Sequence, residues 1–170
     1  MNMLHELIDN PEVLNIYQYG SRVYGCFTDE SDYDYMVIVT DDYKDFIDNI
    51  ELDDNHFNFY KLSLWQDMVN RNTIEALECL FVNKKFIIKE SVEFDIAINQ
   101  VELRKSISKV CSNSYDKCRK KLIIEKDLLL ILLRKVFGIA YVYCYLVSSV
   151  LSMVKLRTIQ KQINSIRILC

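Results

Sequence analysis

An α+β fold is predicted, with a small mixed sheet in the first half of the chain and a helical second half. Runs rich in β-branched and aromatic residues, bounded by turn-forming residues, recur at 13–19, 33–40 and 57–62. From Ser63 the apolar spacing lengthens to a helical period, and beyond about Ser91 it reads as helix throughout, with no proline and one glycine, Gly138. Glycine (3) and proline (1) are scarce among the 170 residues and 51% are apolar, which excludes disordered, collagen-like and loop-rich scaffold classes.

The elements follow in order. Met3 to Ile8 reads as a short helix stopped by Asn10-Pro11. Val13 to Tyr19 reads as a strand closed by Gly20. Tyr33 to Thr40 (YDYMVIVT) is the strongest strand signal, and Phe57 to Leu62 alternates as a half-buried strand does. Between them, Tyr43 to Ile50 has the spacing of a short amphipathic helix. Ser63 is placed to cap a helix over 64–69 and Thr73 one over 74–82, followed by a short strand or extended link at 84–89. The expected organisation is an α+β core over 1–90 with a helical region, 91–170, packed on it.

Net charge is −3, so no overall basic field marks the chain as a nucleic-acid binder. The charge is uneven: 27–54 is rich in Asp and Glu, and 104–126 in Lys and Arg, including Lys117, Arg119, Lys120 and Lys121. Such an arrangement suits a metal site next to a phosphate-binding surface, and equally suits solvated helix faces. The six cysteines form no CxxC pair, and the amino terminus is polar and acidic, unlike a signal peptide. Free thiols in a reducing cytoplasm are expected. The stretch 136–154 carries no charge, and its length suits a buried helix, an oligomer interface or a membrane span; the three tyrosines and three serines within it favour the first two.

Chemistry concentrates in Tyr19 to Val39, YGSRVYGCFTDESDYDYMVIV. Gly20 allows a sharp turn and a close approach of backbone to phosphate. Ser21 offers a hydroxyl and an N–H to phosphate oxygens. Asp32 and Asp34, two apart at the start of a strand, face the same way. Adjacent carboxylates repel, and a hard cation such as Mg²⁺ or Mn²⁺ removes that penalty while taking further ligands from water and substrate phosphates.

Gly20-Ser21 followed by Asp32-Tyr33-Asp34 resembles the signature of the DNA polymerase β-like nucleotidyltransferase superfamily. The local text Gly20-Ser21-Arg22-Val23-Tyr24-Gly25 with Ser31-Asp32-Tyr33-Asp34 is closer to its bacterial and phage branch associated with RNA-repair ligases. The run from Tyr60 to Phe81, with Trp65, Asn72, Glu78 and Leu80-Phe81, is also similar to that branch. The resemblance covers about 13–82 well and the helical half loosely. It implies transfer of a nucleoside monophosphate from an NTP, ATP first among the candidates, to an acceptor hydroxyl on RNA, a protein or a small molecule. Gly20 and Ser21 would hold the β- and γ-phosphates, Asp32 and Asp34 would bind two metal ions, and Arg22 would pair with phosphate or be a surface arginine.

The sequence departs from that pattern at the third carboxylate, which the superfamily usually supplies from the next strand. There His56 stands, with Asn58 following on the same face and Asp54 at the strand's start. His56, with an unperturbed pKa of about 6.5, is either a base for the attacking hydroxyl or an ordinary edge histidine. In the helical half, Ile131 stands where the branch usually has a histidine three residues before an arginine (here Arg134), leaving Lys117 and Lys121 as candidate nucleotide contacts. The alternative to an enzyme is a nucleotide-binding or interaction protein on the same fold without turnover.

Overall fold

The computed structural model describes residues 3–25, 27–44 and 46–124, with backbone alone at 117–118 and 121–124. The expected apolar helix at 136–154, and Ile131 and Arg134, lie outside the described residues. The fold is α+β: a five-stranded mixed sheet with helices. The strands are β1 (Val13–Tyr19), β2 (Tyr33–Val39), β3 (Asn49–Leu52), β4 (Asn55–Lys61) and β5 (Ile87–Glu90), in the order β3-β4-β2-β1-β5. β2 runs parallel to β4, and the other pairs are antiparallel. The helices are α1 (Met3–Asp9), α2 (Ser21–Tyr24), α3 (Leu62–Asn70), α4 (Ile74–Leu80) and α5 (Gln100–Ile124).

β2 is buried on both faces, which explains its near-continuous apolar text. Tyr35, Val37 and Val39 join Leu7 of α1, Val13, Ile16, Phe57 and Phe59 on one face. Met36 and Ile38, of the opposite parity, join Tyr17 and the α3–α4 residues Trp65, Met68, Val69, Ala76 and Cys79. Trp65 sits among the rings of Tyr17, Tyr60 and Phe94, with centroids 5.7–6.4 Å away.

Three expectations need correction. Tyr43 to Ile50 is not a helix: a turn at 41–44 leads to strand β3. Tyr43, Phe46 and Ile50 do face the core, as the spacing suggested, but from extended chain. Ile50 pairs with Phe57, and Asp48 accepts from the Phe59 N–H. Asp and Asn, frequent here, are weak helix formers, so cross-strand pairing prevails. Secondly, α3 starts at Leu62, before Ser63. Ser63 is instead bound through its N–H (3.0 Å) and hydroxyl (2.7 Å) to the Asp41 carboxylate, which holds that carboxyl below its usual pKa range. Thr73 does cap α4, accepting from the Ala76 N–H.

Thirdly, the helical pattern beyond Ser91 begins only at Gln100. Two buried asparagines hold 91–99 out of helix. Asn15 accepts from the N–H groups of Ser91 and Val92 and donates to the Val92 carbonyl. Asn72 donates to the carbonyls of Val69 and Ala97 and accepts from the Asn99 N–H. The chain divides into two compact units, Met1–Ser108 and Lys109–Cys170. The first runs past position 90 because these contacts, and Ser106 Oγ accepting from the Ile74 N–H, bind 91–108 to the sheet and its helices.

Asn72 also takes a left-handed backbone (φ 50°), which asparagine tolerates better than most residues. Asn72→Ala leaves the Ala97 carbonyl and the Asn99 N–H without their partner and adds backbone strain. A loss of about 2–4 kcal/mol in urea unfolding is expected. Asn72→Gly keeps the backbone freedom and loses only the hydrogen bonds, so it should be the less damaging of the two; equal losses would contradict the strain contribution.

Among the described residues no helix is long and apolar enough to cross a membrane.

Candidate functional site

The site forms where β1 ends and β2 begins. The antiparallel pairing sets Tyr19 opposite Asp34, so the turn after Tyr19 lands beside the Asp34 carboxylate. Gly20 makes that turn at φ 81°, ψ −159°, a region essentially restricted to glycine. A Cβ on Gly20 would lie 3.0 Å from Asp34 Cγ and 3.2 Å from its Cβ, and closer still to Oδ2. Gly20 is therefore required twice, by its backbone and by its neighbour. Ser21 opens the one-turn helix α2, in which the Gly20 carbonyl accepts from Val23 and Tyr24 and Gly25 closes the turn in the left-handed region.

The parallel pairing of β2 with β4 places His56 opposite Asp34, and the β3–β4 hairpin places Glu51 opposite His56. Tyr19, Asp34, His56 and Glu51 thus form one row across four strands. His56 Nε2 lies 2.6 Å from Glu51 Oε1, and its Nδ1 lies 3.6 Å from Asp34 Oδ1. Glu51, the nearer, accepts from the Nε2–H and fixes the imidazole with Nδ1 facing Asp34. β4 is interior to the sheet, so His56 is not at an edge; β3 covers it. Asp54 lies in the hairpin turn, where its carbonyl accepts from the Tyr33 N–H. Asn58 lies one step along the same face and donates to the Tyr19 hydroxyl at 2.8 Å.

The electrostatics follow from this crowding. Burial pushes the Asp34 carboxyl above its ordinary pKa; His56 pulls it back, and the charge of Asp32 pushes it up again. The hydrogen bond to Glu51 raises the His56 pKa against partial burial, and the charges of Glu51, Asp34 and Asp32 add to that. Burial also raises the Tyr19 hydroxyl, with Asp34 the next contributor.

Glu78 of α4 is hydrogen-bonded to Tyr24, the last residue of α2. Burial lifts its carboxyl to about 7, partly offset by that bond and reinforced by Glu75. No family model, curated protein or solved structure matches this chain.

The structure therefore gathers Gly20, Ser21, Asp32, Asp34 and His56 in one place. Arg22 lies in α2 with its guanidinium donating to the Ser31 carbonyl and stacked on Tyr33. Lys117 and Lys121 lie in α5, in the second unit, and their side chains are not described. Glu51 and Glu78 were missed by sequence reasoning as site residues. Glu51 needs the hairpin register to be seen, and Glu78 needs its burial. Among the described residues no group of three or more His, Cys, Asp and Glu side chains is arranged to hold a metal ion. The residues that could hold one are the exposed Asp32 and the half-buried Asp34, whose charges repel each other, as carboxylates around a hard dication with further ligands from water or phosphate do.

Proposed function

We propose that this chain has a polymerase β-like nucleotidyltransferase fold and transfers a nucleoside monophosphate from an NTP to an acceptor hydroxyl. The observation that carries the reading is the contact between the Gly20-Ser21 turn and the Asp34 carboxylate, with Asp32 beside it. A triphosphate bound by the turn would lie against the carboxylates, which is the placement phosphoryl transfer requires. Gly20 admits the phosphate close to the backbone, and Ser21 donates its hydroxyl and N–H to it. Asp32 and Asp34 would hold Mg²⁺ or Mn²⁺, which when bound offsets the charge developing on the phosphate oxygens. His56, its Nε2–H bonded to Glu51 and its Nδ1 facing Asp34, would take the proton of the acceptor hydroxyl in its neutral form, at a pH above its raised pKa. The acceptor oxygen bonds to the α-phosphorus, the bond to the bridging oxygen breaks, and pyrophosphate leaves. ATP is the first donor to try, and an RNA end or a protein hydroxyl the first acceptor.

A second reading, nucleotide binding without turnover, is favoured by one observation: β4 offers His56 and Asn58, and no carboxylate, beside Asp34. Pyrophosphate release from each labelled NTP with Mg²⁺ or Mn²⁺ separates the two. Activity that falls about 100-fold or more in Asp32→Asn and Asp34→Asn supports the enzyme. Metal-dependent binding without pyrophosphate supports the second reading, and no binding of any NTP removes both.

A further inference from the structure

We propose that Arg22 is a positioning residue for Asp32 and makes no contact with the triphosphate: it grips the chain on both sides of that aspartate. The inference rests on the nucleotidyl-transfer reading and names what holds its metal-binding loop in place.

Arg22 follows directly on the Gly20-Ser21 turn, where a phosphate contact would be the simple expectation. Its guanidinium is committed elsewhere. Nε donates to the Ser31 carbonyl at 2.9 Å, and Nη2 donates to the same oxygen. Cζ lies 4.0 Å from the centre of the Tyr33 ring and 5.2 Å from that of Phe27. Ser31 and Tyr33 are the residues on either side of Asp32.

The rest of the loop is built to transmit this grip. The Ser31 N–H donates to the Thr28 carbonyl at 3.0 Å, and Ser31 Oγ accepts from the Thr28 N–H at 2.9 Å, closing a tight turn before Asp32. Beyond Asp32, the Tyr33 N–H donates to the Asp54 carbonyl at 2.7 Å. Strand parity also opposes a phosphate contact. Tyr33 and Tyr35 alternate with Asp34, so the ring under the guanidinium lies on the sheet face opposite the Asp34 carboxylate and the Gly20 turn. A fork stacked there is turned away from that turn. Lysine lacks the planar fork and replaces only part of it.

The test separates the metal from the phosphate. Mn²⁺ alone is titrated into the full chain by electron paramagnetic resonance, for wild type, Arg22→Ala, Arg22→Lys and Asp32→Asn. Binding of ATP in EDTA is measured in parallel by calorimetry. Arg22→Ala is expected to weaken Mn²⁺ binding about tenfold, through loss of a charge-assisted hydrogen bond. Arg22→Lys should restore part of that affinity, and metal-free ATP binding should stay within about twofold of wild type. Unchanged Mn²⁺ binding in Arg22→Ala overturns the proposal, as does a loss confined to metal-free ATP binding, which would make Arg22 a phosphate contact. A wild-type chain that binds no Mn²⁺ overturns the site reading itself, and this inference with it. If Arg22→Ala melts below the assay temperature, Arg22→Lys carries the comparison: Mn²⁺ affinity equal to wild type then counts against the grip.

Discussion

Gly20→Ala is expected to abolish metal and nucleotide binding and to cost about 2–6 kcal/mol of stability. Two independent effects add. Any side chain at φ 81°, ψ −159° carries strain of about 1–3 kcal/mol. The new methyl also overlaps the Asp34 carboxylate and sits 3.2 Å from its Cβ, adding about 1–3 kcal/mol of overpacking. The carboxylate can rotate away, but Asp34 Cβ belongs to a strand paired on both sides and cannot follow it far. The rotation would take Asp34 away from Asp32 and His56. Urea unfolding of Gly20→Ala alone and in an Asp34→Ala background measures the two parts. Removing the carboxylate should recover the overlap with Cγ and Oδ2 and leave the backbone strain and the 3.2 Å contact with Cβ. Full additivity would show that the overlap contributes nothing, and a Gly20→Ala chain that binds Mn²⁺ as wild type does would contradict the close packing of turn and carboxylate.

What was legible beforehand follows from the range of the forces involved. β1 and β2 were read almost residue for residue because a buried strand writes its environment into β-branched text, as MVIV does over 36–39. Gly20 and the Asp32–Asp34 pair stood out as text, a glycine closing one strand and two aspartates two apart at the head of the next, and the strand pairing brings Gly20 against Asp34. The errors fell where long-range partners decide. Asp41 takes Ser63 from twenty-two residues away, which no local capping rule anticipates. Ile50 pairs across a hairpin whose turn, Asp53 at φ 52°, uses aspartate where glycine or asparagine would have signalled it. The same hairpin hid Glu51. As text, the acidic run from Asp41 to Asp54 gives every carboxylate equal weight; the register selects one, by setting it on His56. His56 was found through the resemblance, as the residue standing where the superfamily usually has a third carboxylate, and the parallel pairing puts it opposite Asp34.

Glu78 should make the chain less stable as pH rises from about 4.5 to about 7, by about 3 kcal/mol in all. Its carboxyl is raised from 4.5 to about 7 in the folded protein, chiefly by burial. Below pH 4.5 it is protonated whether folded or unfolded and contributes no penalty. Between the two values the unfolded chain loses the proton while the folded chain keeps it, so the folded state loses ground with each step upward. Above 7 both are ionised, and the full cost of a buried charge remains. Asp41 runs the other way, its stabilisation present above its unfolded pKa and lost only as pH falls through its lowered folded value, so the total profile mixes opposing slopes. The difference between wild type and Glu78→Gln isolates the one group. The amide keeps an acceptor for the Tyr24 hydroxyl and cannot ionise, so the variant should match wild type near pH 4 and exceed it by about 3 kcal/mol at pH 8. Urea denaturation across that range gives the difference directly, and a difference that does not grow with pH rules out a buried, late-titrating carboxyl. The effect reaches the site because Tyr24 closes the helix that begins at Ser21, and because the charge on Glu78 adds to that of Asp34 in raising the Tyr19 hydroxyl. A neutral Glu78 leaves its place beside Tyr24 uncharged, whereas an ionised one adds negative charge next to the short helix that opens at Ser21. Under the nucleotide-binding proposal, triphosphate affinity should therefore fall more steeply with rising pH in wild type than in Glu78→Gln, where only the loss of charge on His56 remains.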